Sequence, residues 1–346
     1  SHGWLGDVPA AISQYNAWIK AMADNQADIE RMKQLRPGFR PLMIGLHWPS
    51  KPLGNENLEL TQDPEKGEIT ELDQEVIRTR SNVQGLVSDW ENDFNSGEGF
   101  NLLQYIKEKA QQGSIQRKID QTLTEFLSYW DMKERARKIG QTSGFDLLAK
   151  LQRQTSAQVR FHLIGHSFGT IVVSAALRGP EINSKLVRPI NSLSLIQGAV
   201  SLWSYSKKIP KRDDLIGYFH PIVSGEKVAG PIITTLSKND YSVKLMYPLA
   251  SRIGLKSRGQ DVDFDIAFGG NNLPVFGGIG TYGIQGSGLT INDNLMKTKD
   301  KEYRFLPGSI YNLISDAVIQ DGIKDAHCAI AKPEVTHAVW SAAFGL

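Results

Sequence analysis

Between Val159 and Leu177 the chain passes from an apolar, β-prone run through Gly165-His166-Ser167-Phe168-Gly169 into an apolar run suited to a buried helix. Gly-x-Ser-x-Gly in that setting constrains the fold more than any other stretch. A strand that turns at once into a helix holds the middle residue in a strained conformation, and the residues two places away on either side must be small. Gly165 and Gly169 fill those places. The pattern predicts a nucleophile elbow, with Ser167 at the carboxyl end of a sheet strand. The amide of Phe168 then stands at a helix N-terminus, where it can stabilise an oxyanion.

The rest of the 346 residues fits an α/β reading. Residues 7–34 carry Ile12, Tyr15, Trp18, Ile19, Met22, Ile29 and Met32 near the helical period and predict one amphipathic helix, stopped by Arg36-Pro37-Gly38. Short buried strands are expected at 41–46, 190–196, 231–236 and 310–314, and a final helix over 333–343 with Pro333 at its first position. Residues 70–155 are polar and helical in character, with a stripe formed by Ile115, Ile119, Leu123, Phe126, Leu127 and Trp130. Such stripes normally pack a core. Here the block is far longer than one crossover helix, so 50–155 reads as a helical insertion, part of it a cap or lid, within a single domain spanning 1–346.

The Gly-x-Ser-x-Gly turn between a strand and a helix resembles the elbow of the α/β-hydrolases, and that resemblance implies an acid in a loop after a later strand and a histidine last in the chain. The strand 231–236 runs into Ser237-Lys238-Asn239-Asp240, which sets Asp240 just past a strand's carboxyl end, on the rim that carries Ser167. Asp213 and Asp214 sit in a long basic loop, while Asp261, Asp263 and Asp265 alternate with apolar residues like the outer face of a strand. Asp240 is the favoured acid. After the last strand come two histidines. His327 lies in a loop before the final helix, and His337 lies inside that helix, where a lone histidine is more often packing. A base must reach the nucleophile's proton, and a loop on the rim can deliver it, so His327 is the expected base.

The elbow, with its strand before and its helix after, resembles the α/β-hydrolase superfamily of serine esterases and lipases. The resemblance implies a mostly parallel sheet flanked by helices and a Ser…acid…His order, which Ser167, Asp240 and His327 satisfy. It also implies a second oxyanion donor from the loop after the third strand, often His-Gly. Ser1-His2-Gly3-Trp4 carries that pattern without a strand before it, which favours Gly3 and Trp4 as the donor region. Alternatively, strand 41–46 takes the place beside the elbow strand and His47-Trp48 forms the oxyanion loop. Leu46-His47-Trp48-Pro49-Ser50, Arg135-Ala136 before Ile139-Gly140, and Tyr247-Pro248 extend the similarity to an uncharacterised group within the superfamily.

The expected activity is a carboxylic ester hydrolase working through an acyl-enzyme on a small-molecule or lipid-like ester, with His47 and Trp48 lining the pocket. An amidase, peptidase or thioesterase would use the same triad. A non-catalytic binding or scaffold protein on the same fold is the alternative from another class. Several other functions find no support. Acidic and basic residues nearly balance, at a net charge of +2, and give no nucleic-acid footprint. No apolar run reaches the roughly 18 residues of a membrane span. The single cysteine, Cys328, permits no intrachain disulfide, and no signal-peptide pattern opens the chain, so a cytoplasmic location is the expectation. Gly278-Ile279-Gly280-Thr281-Tyr282-Gly283 matches the spacing of a dinucleotide loop, but no helical pattern follows it. It reads as a mobile loop bordering the site. No cofactor or metal is implied.

Overall fold

The computed structural model describes residues 1–3, 8–50, 129, 131–210, 214–248, 251, 273–321 and 326–344. The chain divides into two units, Ser1–Glu56 with Met132–Leu346, and Asn57–Asp131. The second unit lies almost wholly outside the described residues. With it go the stripe from Ile115 to Trp130 and most of the expected cap.

The first unit is built on a five-stranded sheet in which every pairing is parallel. Its strands are β1 (His162–His166), β2 (Ser192–Ile196), β3 (Ile232–Leu236), β4 (Ile291–Leu295) and β5 (Ile310–Ile314). Their order across the sheet is β1-β2-β3-β5-β4. A parallel sheet is covered on both faces, so its central strands are buried along their length and rich in apolar residues, with small polar side chains such as Ser192, Ser194, Thr234 and Thr235 between them. β2 is buried along its whole length, and β3 and β5 are buried except at their last residue.

Helices α1 (Val8–Asp24) and α2 (Gln26–Leu35), together with α5 (Pro333–Phe344), bury Met22, Met32, Val335, Val339 and Trp340 against Ile196, Ile233, Tyr311 and Leu313. α4 (Gly169–Arg178), which follows β1, packs on the other face. A π-helical turn Gly140–Gly144 and α3 (Phe145–Gln154) pack in turn on α4. The C-terminal part of the expected helical insertion thus belongs to the sheet-bearing unit.

The structure departs from the sequence reading in three places. The single helix expected over 7–34 is two helices. Asn25 breaks it, giving its side-chain amide to the Pro333 carbonyl (2.9 Å) and the Thr336 hydroxyl (2.7 Å) of α5. Residues 41–46 form no strand. They run without sheet pairing, with Leu42 and Ile44 exposed. The outer edge of β1, where such a strand could have lain, is paired among the described residues only by Ser1, whose nitrogen donates to the Ile164 carbonyl (2.7 Å) and whose carbonyl accepts from His166 N–H (3.1 Å). Conversely, Ile291–Leu295 forms edge strand β4 despite its polar centre. The Asp293 carboxylate accepts from the Asn312 amide of β5 (2.7 Å).

His337 joins the helical layer together. Its Nδ1 donates to both carboxylate oxygens of Asp28 (2.8 Å each) and its Nε2 to the Lys301 carbonyl (3.0 Å). Both ring nitrogens face acceptors, so the bonded form is the imidazolium. Burial alone would lower its pKa, but the Asp28 carboxylate and the Lys301 carbonyl outweigh it and raise the value above the ordinary one. A raised histidine stabilises the fold fully below the unfolded-state pKa of about 6.5, and loses that contribution as pH rises through the folded-state value. Asp28→Asn should therefore lower stability by about 2 kcal/mol at pH 5.5–6. In denaturant titrations the gap from wild type should narrow as pH rises. A gap unchanged with pH would show that the pair is not charged.

Candidate functional site

The local sequence builds the elbow as expected. Ser167 has φ +54°, one of few non-glycine residues in the left-handed region. At Gly165 a Cβ would stand 2.5 Å from the Gly169 carbonyl oxygen, and at Gly169 it would collide with the Ser1 carbonyl. A side chain at Gly165 would force β1 and α4 apart, and one at Gly169 would drive the Ser1–His2 segment off α4. The strained turn is held by the Ser167 carbonyl, which accepts from Thr170 Oγ1 (2.6 Å), Thr170 N–H (3.1 Å) and Ala199 N–H (3.3 Å). Ser167 N–H donates to the Ile196 carbonyl at the end of β2 (3.2 Å). Phe168 caps the N-terminus of α4.

Parallel strands end on the same rim, and the loops after β3 and β5 deliver the other two expected residues there. Asp240, fully buried, follows β3. Its Oδ2 accepts from His327 Nδ1 (2.8 Å) and from Gln197 Nε2 (2.8 Å), and its Oδ1 accepts from Val243 N–H (2.9 Å). His327 lies in a 3-10 turn, Ala326–Cys328, between β5 and α5. Ala326 N–H donates to the Asn239 carbonyl (3.2 Å), which ties the His327 loop to the Asp240 loop.

His166, adjacent to the serine, holds the His327 loop from the other side. Its Nε2 donates to the His327 carbonyl (2.9 Å), its Nδ1 accepts from the Gln14 amide (3.0 Å), and its ring lies 4.9 Å from that of His327. Donor on one nitrogen and acceptor on the other is the pattern of a neutral ring. Burial, and then the neighbouring His327, push its pKa down to about 3.

Gly3 lies against the serine. A Cβ there would be 2.8 Å from Ser167 Cβ and 3.2 Å from its Oγ. Trp4 is outside the described residues. Behind Gly3, His2 donates from Nδ1 to the Gly3 carbonyl (2.8 Å) and accepts at Nε2 from Trp48 N–H (3.2 Å), and its pKa falls to about 4, chiefly through burial. Trp48 is fully buried, with its indole N–H on the His2 carbonyl (2.9 Å), and His47 stacks on His2 at 4.8 Å. The two segments weighed as oxyanion loops are therefore packed on each other, and Gly3 is the one touching the serine. His47 and Trp48, expected to line the pocket, stand one layer back as a support for His2.

A cavity of about 1290 Å³ runs from this rim along the outer edge of β1. Ser167, Gly3 and His327 stand in its wall, and α1, α2, α3 and residues 36–46 line the remainder, mostly with apolar side chains such as Met22, Ile164, Leu148 and Trp340.

Of the alternatives, Asp214 is exposed in a turn, and Asp213, Asp261, Asp263 and Asp265 are outside the described residues. His337 lies in α5, bound to Asp28 rather than to the rim. The glycine-rich stretch is not a loose border to the site: Ile279–Tyr282 forms a buried helical turn that packs behind the acid, and the Gly280 carbonyl accepts from Gln197 Nε2 (3.1 Å). Sequence reading had no signal for Gln197, and it left His166 and Gln14 without a role. Among the described residues, no group of acidic, histidine or cysteine side chains could hold a metal ion, and no helix is long and apolar enough to cross a membrane.

Comparison of the chain with known protein families, with curated proteins and with solved structures finds no match.

The hydrogen bonds fix two tautomers that can be measured. In ¹⁵N spectra of the labelled protein at pH 6, His166 should appear as the Nε2–H form and His2 as the Nδ1–H form, neither titrating until the pH falls below 5. An imidazolium signal from either ring at pH 6 would contradict this arrangement.

Proposed function

We propose that the chain is a serine hydrolase of the α/β-hydrolase type, cleaving carboxylic esters through an acyl-enzyme. The observation that carries the reading is the hydrogen bond from His327 Nδ1 to the buried Asp240, on the rim where Ser167 is held in a strained elbow. A buried aspartate bonded to Nδ1 fixes the tautomer whose Nε2 is basic, and it stabilises the imidazolium that forms on proton transfer.

In this reading His327 Nε2 takes the Ser167 hydroxyl proton as Oγ attacks the ester carbonyl. The tetrahedral oxyanion is received by the Phe168 amide at the start of α4 and by the Gly3 segment. His327 then gives its proton to the departing alkoxide. Water, deprotonated by the same ring, hydrolyses the acyl-serine and restores the free enzyme. No cofactor enters the cycle. The apolar cavity that opens at Ser167 supports a hydrophobic acyl group. The preference for an ester over an amide comes from the family resemblance of the elbow.

A fluorophosphonate probe should label the wild-type protein covalently and leave Ser167→Ala unlabelled. Turnover of p-nitrophenyl esters should fall by about three powers of ten or more in His327→Ala. His337→Ala should retain turnover at a temperature where it stays folded. A folded wild type that neither labels nor hydrolyses any ester, thioester or anilide of a panel would turn the assignment toward a binding or scaffold protein. Preference for the anilides would make it an amidase.

A further inference from the structure

We propose that Gln197 is a positioning residue of the Ser167–His327–Asp240 system: its side-chain amide sets the orientation and basicity of the Asp240 carboxylate, and through it the basicity of His327. The inference rests on the hydrolase reading for its catalytic consequence, but its physical core concerns three side chains that the structure joins directly.

Gln197 follows the last residue of β2, is fully buried, and has φ +44°. A glutamine in the left-handed region is disfavoured and persists only where its surroundings hold it there. Those surroundings are specific. Gln197 N–H donates to Thr235 Oγ1 (2.9 Å), and that hydroxyl donates onward to Gln197 Oε1 (2.9 Å). Because Oε1 receives the hydroxyl proton, the amide cannot be flipped. Nε2 then faces two acceptors, Asp240 Oδ2 at 2.8 Å and the Gly280 carbonyl at 3.1 Å, one for each of its protons. Gly280 makes this close packing possible, since a Cβ there would stand 2.8 Å from the Gln197 carbonyl carbon. This gives a purpose to part of the glycine-rich stretch that the catalytic steps do not use.

The amide binds the same carboxylate oxygen that accepts from His327. Two donors therefore share Oδ2, while Val243 N–H holds Oδ1. The shared oxygen has two consequences. The carboxylate is pinned at three points and cannot rotate away from the imidazole as the proton moves. The amide proton also draws charge from Oδ2, so the carboxylate stabilises imidazolium less than an unshared one would. Gln197 thus keeps the base weak enough to be neutral at working pH, when it must accept the serine proton.

Gln197→Met keeps the length and removes the donor. In this variant the imidazolium of His327, followed by NMR titration of its ring, should rise in pKa by about half a unit or more, because Oδ2 loses a competing proton. In p-nitrophenyl butyrate hydrolysis the acid limb of kcat/KM should move up by the same amount. kcat should fall about tenfold with KM within a factor of about two, as for a group that acts on the reaction and not on binding. Thr235→Val, which frees the amide to turn, should move the titration in the same direction by less. This second variant decides the matter if Gln197→Met does not fold. An unshifted His327 titration in a folded variant overturns the proposal. A shifted titration in the variant, with a wild type that hydrolyses nothing, upholds it and rejects the hydrolase reading instead.

Discussion

The contact on which the site depends is the near-touching of two backbones, β1 and α4, at Gly165 and Gly169. A strand entering a helix with no intervening loop leaves one residue whose φ must be positive, and here that residue is Ser167 at +54°. The strain is held by the Ser167 N–H donating to the Ile196 carbonyl and by the Ser167 carbonyl accepting from Thr170 and Ala199. In consequence the serine stands, buried, in the wall of the cavity. The geometry also puts the beginning of α4 beside the hydroxyl, so a helix N-terminus and the Ser167 side chain occur together without further construction.

A parallel sheet then does the remaining assembly. All its strands end on the same rim, so residues as distant in sequence as Ser167, Asp240 and His327 need only lie in loops after their strands. The loops do not rely on the sheet alone. Ala326 is bonded to Asn239, and His327 is bonded to His166 through its carbonyl and to Asp240 through its ring. His327 is held at its main chain and its side chain by different elements, which fixes its orientation.

The legible parts of the sequence were those where one local pattern carries one physical meaning. Gly-x-Ser-x-Gly gave the elbow, and the apolar runs at 190–196, 231–236 and 310–314 gave central strands that match β2, β3 and β5 closely, because burial on both faces demands such runs. Asp240 and His327 could be sought on the rim because the family resemblance implies their order along the chain and each follows a strand. The unreadable parts depend on neighbours. An apolar run becomes a strand only where another strand takes its N–H and C=O groups, and residues 41–46 have none among the described residues. Ile291–Leu295 is a strand because Asp293 meets Asn312, a pairing separated by 19 positions. Asn25 looks like any residue within a helix until Thr336 and Pro333 of α5 claim its side chain. Gln197 carries no motif at all, since its meaning comes from Thr235, Asp240 and Gly280, which meet it only in the folded chain.

Two histidine–aspartate pairs in this unit show why a residue pair alone defines no site. Asp28–His337 and Asp240–His327 share the same 2.8 Å bond to Nδ1. In the first pair the other nitrogen is spent on the Lys301 carbonyl, an acceptor only, so the ring needs both protons and serves as a buried cation between helices. In the second pair the ring stands in the wall of a cavity it shares with Ser167, and its neighbour His166 is kept neutral, which avoids a second positive charge 4.9 Å away. Had His166 carried a proton on each nitrogen, its charge would oppose formation of the His327 imidazolium. The Gln14 amide donating to Nδ1 and the His327 carbonyl accepting from Nε2 fix the uncharged form. What separates a structural pair from one fit for proton transfer is thus the partner of the far nitrogen and the charge of the nearest ring.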